Sequence, residues 1–331
     1  MIRLMVSRLF WLVPTLLVIS VVTFVIIQLP PGDYVTTRIM SMQAQGEVID
    51  EGEIQALREL YGLDKPYVVR YFGWLGGLMV GDLGMSMEHN RAVTELIGER
   101  LGLTVGLSLS ALIFTWALAI PIGIYSAVRK YSVGDHVVTF LGFIGLATPN
   151  FLLALLFMYV SSAFFGIPAG GLLSPQYQDM PWSVGKAFDL FLHLLAPVVI
   201  IGTAGTAGLI RVMRGNLLDE LNKQYVITAR AKGLSPVKVL LKYPVRIAIN
   251  PLVSTIGWVL PAIISGEAIT SIVLGLPTTG ELLFSALMNQ DMYLAGSLLM
   301  VLSLLTVIGT LISDLLLILL DPRIRYETRE A

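Results

Sequence analysis

Long uncharged apolar runs alternate with polar segments along this chain, and the runs are longer than the core helices of a soluble domain require. About 18 consecutive apolar residues are enough for a helix to cross a bilayer. The first run covers residues 9–27, and five more reach spanning length with some tilt: residues 101–128, 137–165, 190–213, 251–274 and 293–320. The pattern predicts an all-α polytopic membrane protein with six transmembrane helices.

The first run has a basic N-terminal flank, Arg3 and Arg8, as a secretory signal peptide does. The apolar core of a signal peptide spans about 7–15 residues and ends in small residues for cleavage. This run is longer, and it leads into a segment containing Pro30 and Pro31. We therefore predict that residues 1–29 form an uncleaved first transmembrane helix. Its basic end faces the cytoplasm by the positive-inside rule.

The charges are distributed unevenly, although the net charge is only −1. With the N-terminus inside, 15 of the 22 Lys and Arg residues fall on the cytoplasmic side. Residues 30–100 hold eleven of the 23 acidic residues and form the first external segment. The positive-inside rule thus predicts an N-in, C-in topology. Residues 101–331 then form a five-helix core that includes a cytoplasmic loop at residues 214–250.

The external segment is too long for a plain connection, so part of it is expected to fold. Asp50 suits an N-cap with Glu53 at the third helical position, and one apolar face ending at Gly62 is formed by Ile54, Leu57, Leu60 and Tyr61. Two interpretations of this amphipathic helix remain open. It docks on the membrane surface or a partner, or it packs as a lid on its own helix bundle.

The cytoplasmic loop predicts two helices joined by a glycine. Helical spacing runs through residues 214–232, and Gly233 stands where a left-handed residue would end the helix. Ser235 suits the N-cap and Pro236 the first position of a second helix, which Pro244 closes. That helix has an apolar stripe and a basic one, formed respectively by Val237, Leu240 and Leu241 and by Lys238 and Lys242.

We call residues 225–242 the elbow. An exposed apolar stripe beside basic residues suits a groove on a cytosolic partner. An interfacial helix lying on anionic lipid would also explain the lysines.

The composition removes several kinds of chemistry. The chain has no Cys, which excludes disulfides, thiolate nucleophiles and Cys-ligated metals. Its three histidines, His89, His136 and His193, are far apart in sequence, so we expect no metal site. It also lacks the glycine-rich nucleotide motifs. A membrane enzyme would need convergent polar residues within the spans, and the pattern offers none. We therefore expect a non-catalytic chain that does not hydrolyse ATP itself.

Glu267 is the clearest charge inside a predicted span. A carboxylate near mid-membrane is costly unless it is paired or faces water, so it marks either a solute pathway or a buried hydrogen bond. A secondary transporter would show internal repeats and several such charges. This sequence shows one clear carboxylate and no repeat, which makes that class a weaker alternative.

Several motifs make the sequence similar to the permease subunits of binding-protein-dependent ABC importers, in the dipeptide/oligopeptide/nickel group and the first of its two permease types. The motif YVITARAKGLSP at residues 225–236 resembles this group's version of the cytoplasmic EAA motif, with Ile227-Thr228-Ala229 in place of Glu-Ala-Ala. The other matching motifs are PPGD at 30–33, LRELYGLDKPYVVRY at 57–71, GDLGMS at 81–86, PIGI at 121–124 and LLDPRIR at 319–325.

The resemblance implies a type I ABC permease fold in the bacterial cytoplasmic (inner) membrane, with a coupling helix that docks in a groove of an ATPase subunit. It implies a second, different permease, two ATPase subunits that bind ATP and Mg, an external solute-binding protein and surrounding lipid, with no nucleic acid. The coupling residues would be Tyr225, Thr228, Ala229, Arg230, Ala231, Lys232, Gly233, Leu234, Ser235 and Pro236.

The substrate implied by the resemblance is a peptide or another oligomeric polar solute. Many peptide permeases have Glu where this chain has Ser271, and Glu267 lies one turn earlier. We take these two residues as candidates for the pathway. The segment after Ser271 resembles permeases associated with oligosaccharides or opine-type sugar conjugates, which remain an alternative substrate class.

Overall fold

The computed structural model describes residues 2–46, 51–165, 170–256 and 268–320. These residues form helices and loops, with one isolated β-bridge between Met85 and Ala92 and no strand. The all-α prediction is confirmed for this part of the chain. In chain order, the helices are α1 (Ile2–Gln28), α2 (Tyr34–Ala44), α3 (Glu51–Leu60), α4 (Tyr67–Met79), α5 (Val93–Val128), α6 (Val133–Ala147), α7 (Asn150–Phe165), α8 (Pro175–Gln178), α9 (Val184–Leu221), α10 (Gln224–Ala231), α11 (Pro236–Lys242), α12 (Pro244–Ala248), α13 (Asn250–Ser254), α14 (Ala268–Leu274), α15 (Thr279–Met288) and α16 (Met292–Leu320).

Four helices of the described residues are long and apolar enough to cross a membrane. They correspond to the first, second, fourth and sixth predicted runs and lie within α1, α5, α9 and α16. Two bent helix pairs, α6 with α7 and α14 with α15, raise the number to six if each pair is one span. The fifth predicted run, residues 251–274, is described only at its two ends, because residues 257–267 lie outside the described part.

The third predicted run, residues 137–165, is a broken pair and not one continuous helix. α6 and α7 meet at a bend of 98°. Thr148 is extended at the junction (φ −93°, ψ 120°), and Pro149 follows it. A proline disfavours the helical conformation of the residue before it, which explains the break. Pro121 and Pro197, by contrast, lie inside α5 and α9 without ending them.

The chain divides into two compact units. We call the first, Ile2–Thr104 with Pro277–Val307, the N-terminal unit, and the second, Val105–Leu276 with Ile308–Ala331, the central unit. The interior of the N-terminal unit is an apolar cluster that includes Phe24 of α1, Trp74 of α4 and Leu298 of α16.

A buried carboxylate organises the polar part of the N-terminal unit. Asp291 accepts hydrogen bonds from the Ser86 hydroxyl (2.6 Å) and from the backbone amides of Glu88 (3.1 Å) and Leu294 (3.1 Å). The bond to Leu294 caps the start of α16, as a short acidic side chain does at an N-cap. Asp291 thus joins the loop after α4 to the beginning of the last helix.

The amphipathic helix predicted near residues 50–61 is α3. Ile54 and Leu57 are half-buried, Leu60 is exposed, and α3 contacts α2 of the same unit. The predicted cap Asp50 lies outside the described residues. Packing of α3 on its own chain supports the lid-like alternative over docking on the membrane through this face.

Helix α9 is the central element of its unit, because α6, α7, α12 and α13 all pack against it. Close approach to α5 depends on Gly202, where a Cβ atom would stand 2.6 Å from the Phe114 ring. Gly202 therefore serves packing within the chain. At Gly102 and Gly106 a Cβ atom would meet no described atom within 4 Å.

Candidate functional site

The elbow follows the end of α9. That helix stops at Leu221, and Lys223 is extended (φ −69°, ψ 148°) before α10 begins. The prediction of one helix over residues 214–232 was therefore wrong. Asn222 occupies the C-cap, and its side chain competes for backbone hydrogen bonds, which makes it a poor helix former. The break gives α10 its own direction.

Gly233 turns the chain between α10 and α11. Its φ is +75°, in the left-handed region, and its amide donates to the Arg230 carbonyl at 3.0 Å. A Cβ atom here would meet no described atom within 4 Å. Glycine is therefore favoured for its backbone conformation and not for space. The predicted left-handed helix end is confirmed.

The start of α11 matches the prediction in position but not in its bonding. Ser235 stands at the N-cap with φ −59° and ψ 144°, and Pro236 is the first helical residue. In the described part of the chain the Ser235 side chain makes no capping hydrogen bond. The fixed φ of Pro236 therefore favours the helix start without help from the hydroxyl.

The elbow has a small core of its own. Val226 and Ala229 of α10 are buried with Val239 of α11, and Leu234 and Tyr243 pack against them. Ala229, predicted to contact a partner, is only 4% exposed and lies in this core. Val239 and Tyr243 were not among the predicted residues, although their four-residue spacing is typical of one helix face.

Tyr225 ties the elbow to the last turn of α9. Its hydroxyl donates a hydrogen bond to the Glu220 carboxylate. Burial raises the pKa of Tyr225, and the bond to Glu220 raises it further. The hydroxyl therefore stays protonated and remains a donor at neutral pH. Tyr225 is half-buried, so this predicted coupling residue supports the elbow from inside.

The remaining predicted coupling residues divide by exposure. Leu234 is half-buried against the elbow core. Seven others are exposed and free to contact a partner: Thr228, Arg230, Ala231, Lys232, Gly233, Ser235 and Pro236.

The apolar stripe of α11 is narrower than predicted. Val237 is 66% exposed and Leu241 is 55% exposed, one turn apart. Leu240 instead turns inward and packs against a cluster that contains Met213 and Leu217 of α9. The outward apolar surface of α11 is therefore a two-residue knob.

This knob lies in a strongly basic stretch. Residues 223–246, all of which the structure describes, contain no acidic residue. Six cationic side chains in the stretch are exposed: Lys223, Arg230, Lys232, Lys238, Lys242 and Arg246. Such a surface complements an acidic partner that also offers an apolar pocket.

The two short helices that follow the elbow, α12 and α13, are packed against α9. Val245 and Leu252 are buried with Met213 and Leu217. Ala127, near the end of α5, belongs to the same cluster. Close-packed interiors have low compressibility and transmit strain. A displacement of the elbow would therefore also displace α9 and α5.

An ion pair between the buried Asp135 and the half-buried Arg214, absent from the sequence-based candidates, fixes α9 near the elbow. Arg214 donates to both oxygens of Asp135, Nε to Oδ1 at 3.1 Å and a terminal nitrogen to Oδ2 at 2.9 Å. Asp135 also accepts from the Ser126 hydroxyl (2.8 Å) and the Tyr131 amide (2.9 Å). The carboxylate thereby joins the end of α5, the start of α6 and α9. Sequence gives little signal for it, because the partners are 79 residues apart.

Of the two candidate pathway residues, only Ser271 lies in the described part of the chain. Glu267 lies outside the described residues. Ser271, on α14, is fully buried, and its hydroxyl has no hydrogen-bond partner among the described residues. The neighbouring Thr270 hydroxyl is also buried and without a partner there. The described residues hold no group of three or more His, Asp or Glu side chains placed to bind a metal ion.

Comparison with known protein families gives two matches. A family model described as "Binding-protein-dependent transport system inner membrane component" matches residues 119–326. Another, for the N-terminal part of such membrane components, matches residues 1–108.

Curated relatives match over nearly the full chain. This chain is 36% identical to the oligopeptide transport system permease protein AppB of Bacillus subtilis (strain 168), over 95% of this chain and 96% of that protein. It is 30% identical to the dipeptide transport system permease protein DppB of Escherichia coli (strain K12), over 99% and 100% respectively. Among solved structures, a chain of the inward-facing MetNI methionine ABC transporter is similar, with a TM-score of 0.54 and 15% identity over 69% of this chain and 97% of that one. That likeness shows a shared fold.

Proposed function

This chain belongs to the family of binding-protein-dependent transport system inner membrane components, and we propose that it forms half of the translocation path of an ATP-driven peptide importer. It is a multi-pass protein of the inner membrane. The other half of the path would come from a second, homologous permease. An external solute-binding protein would deliver the solute, and two ATPase subunits would bind ATP and Mg.

The elbow is the observation that carries this proposal. Val237 and Leu241 project from α11 among exposed cations, while Val239 anchors the same helix from inside. A rigid helix with an outward apolar knob fits a groove on a partner. We assign that groove to an ATPase subunit.

Coupling then runs through packed contacts. Closure of the ATPase dimer would move α11, and the buried contacts of Leu240, Val245 and Leu252 with α9 would pass the movement into the membrane. The Asp135–Arg214 pair would make α9, α6 and the end of α5 move together. This supports an alternating-access mechanism in which the elbow works as a lever.

The proposal includes a topology. Both ends of the chain and the loop at residues 214–250 lie in the cytoplasm, residues 30–100 lie outside, and residues 101–331 form the permease core. Six spans result when α6 with α7 counts as one crossing and the incompletely described run at residues 251–274 as another. The distribution of Lys and Arg supports this orientation.

The proposed solute is a peptide. The names of AppB and DppB concern oligopeptides and dipeptides, which favours peptides over the oligosaccharide or opine alternative. Glu267 and Ser271 stay our candidates for the pathway. The Ser271 hydroxyl has no hydrogen-bond partner among the described residues, which supports a polar contact made in another state of the transport cycle.

The decisive experiment tests the knob. In Leu241→Asp, affinity purification in mild detergent should recover the permease pair with little or no ATPase, because a carboxylate replaces an apolar contact. Leu60→Asp is the matched control: Leu60 is 72% exposed on α3, far from the elbow in sequence, and its replacement should leave ATPase recovery unchanged. Full ATPase recovery with Leu241→Asp would contradict the proposal.

A further inference from the structure

Helix α4, in the external segment, has an exposed face with an unusual composition. Its exposed residues are Tyr67, Val68, Val69, Phe72, Gly73, Gly76 and Met79. All residues of α4 are described, and none of the exposed ones carries a charge. Phe72 is 63% exposed, Val68 66% and Met79 75%. A surface helix in water normally turns charged or polar residues to the solvent.

The neighbouring helix α3 shows that ordinary pattern. Four of its exposed residues are charged: Glu51, Glu53, Arg58 and Glu59. The two helices are separated by only a short loop. Two helices separated by so few residues thus have exposed surfaces of opposite character.

The contacts of α4 place it at membrane depth. The Tyr71 hydroxyl lies 2.9 Å from the Ser20 hydroxyl, and the rings of Tyr71 and Phe24 are 5.3 Å apart. Ser20 and Phe24 are eight and four residues before Gln28, where the membrane-spanning helix α1 ends. At 1.5 Å per residue these contacts lie roughly 12 and 6 Å inside that end. Half the hydrocarbon core is about 15 Å thick.

The last helix gives an independent measure of the same depth. Trp74 Nε1 donates to the Ser297 hydroxyl at 3.4 Å. Ser297 is five residues inside the start of α16 at Met292, or roughly 7 Å along the helix. Tyr71 and Trp74 thus contact two membrane-spanning helices below the level of their ends, while the Arg70 guanidinium reaches Met292, the first residue of α16.

The exposed side chains of α1 at this depth are also apolar. Val22 and Ile26 flank Phe24 on α1, and they are 50% and 52% exposed. On a membrane-spanning helix such residues face acyl chains. At one end of α4, the Arg70 guanidinium lies 5.5 Å from the Tyr67 ring centre. Arginine and tyrosine side chains of this kind are typical of the membrane interface.

From these observations we propose that α4 is a membrane-embedded helix that does not span the bilayer, and that lipid acyl chains cover the face formed by Val68, Phe72 and Met79. If the proposed function holds, a water-soluble binding protein approaches from the external side and would dock at the level of the helix ends, above this face. The helix anchors the external segment to the outer leaflet and leaves α3 in water.

Nitroxide labelling tests the proposal. This chain contains no Cys, so with partner subunits made free of Cys only the introduced residue carries the label. Single variants Val68→Cys, Phe72→Cys and Met79→Cys carry the label in the assembled transporter. The complex is reconstituted into vesicles of phosphatidylethanolamine and phosphatidylglycerol. Ala56→Cys on α3 is the standard for water, and Val22→Cys on α1 is the standard for lipid.

Collision rates with oxygen and with a polar nickel chelate distinguish the possible occupants. Lipid contact predicts oxygen collision several-fold above nickel collision at all three α4 positions, as at position 22. Nickel collision as high as at position 56 would show that water covers the face and would overturn the proposal. Low collision with both reagents would show that protein covers it, through the second permease, and would overturn the proposal as well.

Discussion

The elbow and α4 both expose large apolar side chains, but their surroundings differ. Val237 and Leu241 of the elbow lie in a stretch with six exposed cations and no acidic residue, and they project from a helix of seven residues. The exposed face of α4 has no charge, and it rests on two membrane-spanning helices. Exposure of apolar side chains alone therefore does not identify a partner. The partner is indicated by the charges around the apolar side chains and by the position, relative to the membrane, of the helices on which they rest.

The two surfaces also differ in how they are held. The elbow rests on α9, whose position depends on the Asp135–Arg214 ion pair and on the cluster around Met213. α4 is attached through aromatic side chains, Tyr71 and Trp74, that reach α1 and α16. In the proposed mechanism the elbow must move together with α9 as one rigid body. Helix α4 only has to stay embedded in lipid.

The largest effect on stability is expected from removing the ion pair that fixes α9 beneath the elbow. Arg214→Ala leaves the Asp135 carboxylate, whose side chain is 3% exposed, without its cation. Breaking a buried pair in this way costs about 3–5 kcal/mol. We expect a clear fall in the melting temperature of the purified complex, measured by size-exclusion chromatography after heating.

Arg211→Ala is the matched control for that variant. Arg211 lies one turn earlier on α9 and is exposed, with its guanidinium 5.3 Å from the Phe143 ring. Its removal should cost at most about 1 kcal/mol, the usual value of an exposed cation–π contact. Equal losses in the two variants would remove Asp135–Arg214 as the support of the elbow.

The next largest effect is expected at Gly233, in the turn of the elbow. Gly233→Val forces a β-branched residue to φ near +75°, at a cost of about 1–3 kcal/mol. We expect ATP-driven uptake per complex to fall strongly while membrane insertion and the lipid contact of α4 stay unchanged. Uptake into vesicles and nitroxide accessibility at position 72 measure the two properties.

Two further variants separate conformation from bulk. Gly215→Val adds the same side chain to α9 at a position without positive φ and with no described atom within 4 Å of the new Cβ. Gly233→Asn keeps a residue that tolerates the left-handed region. Both should retain most of the uptake, and loss of uptake in Gly233→Asn would point away from the conformational explanation.

A reciprocal pair of lysine substitutions sharpens the contrast between the surfaces. Phe72→Lys places a cation in lipid, which costs from about 1 kcal/mol near the interface to about 3 at the bilayer centre, so complex yield should fall. Leu241→Lys adds a cation to a surface that is already basic, so yield should hold while ATPase recovery falls. Yield per cell and ATPase per permease are measured for both, and the same pattern in the two variants would erase the distinction.

The smallest effect is expected at Tyr225. Tyr225→Phe removes one hydrogen bond to Glu220 and keeps the ring in the elbow core. A hydrogen bond to a charged group contributes about 1.5–3 kcal/mol, and less for a partly exposed acceptor that water can solvate instead. We expect normal assembly and a modest fall in the ATP dependence of uptake. Loss of ATPase binding would mean that Tyr225 contacts the partner directly.

Local and periodic features of this protein were determined by the sequence itself. The apolar runs predicted the membrane-spanning parts of α1, α5, α9 and α16, because the bilayer demands a length that few other structures need. Gly233 and Pro236 predicted the turn of the elbow, because each restricts its own backbone angles. The motif at residues 225–236 carried the family resemblance.

Only the tertiary structure decided which face of each element meets which neighbour. The pairing of Asp135 with Arg214 and the inward turn of Leu240 depend on residues far apart in the chain. The sequence pattern of α4 likewise did not reveal its depth. That depth follows from Tyr71 reaching Ser20 across 51 residues of chain, and no local pattern encodes such a distance.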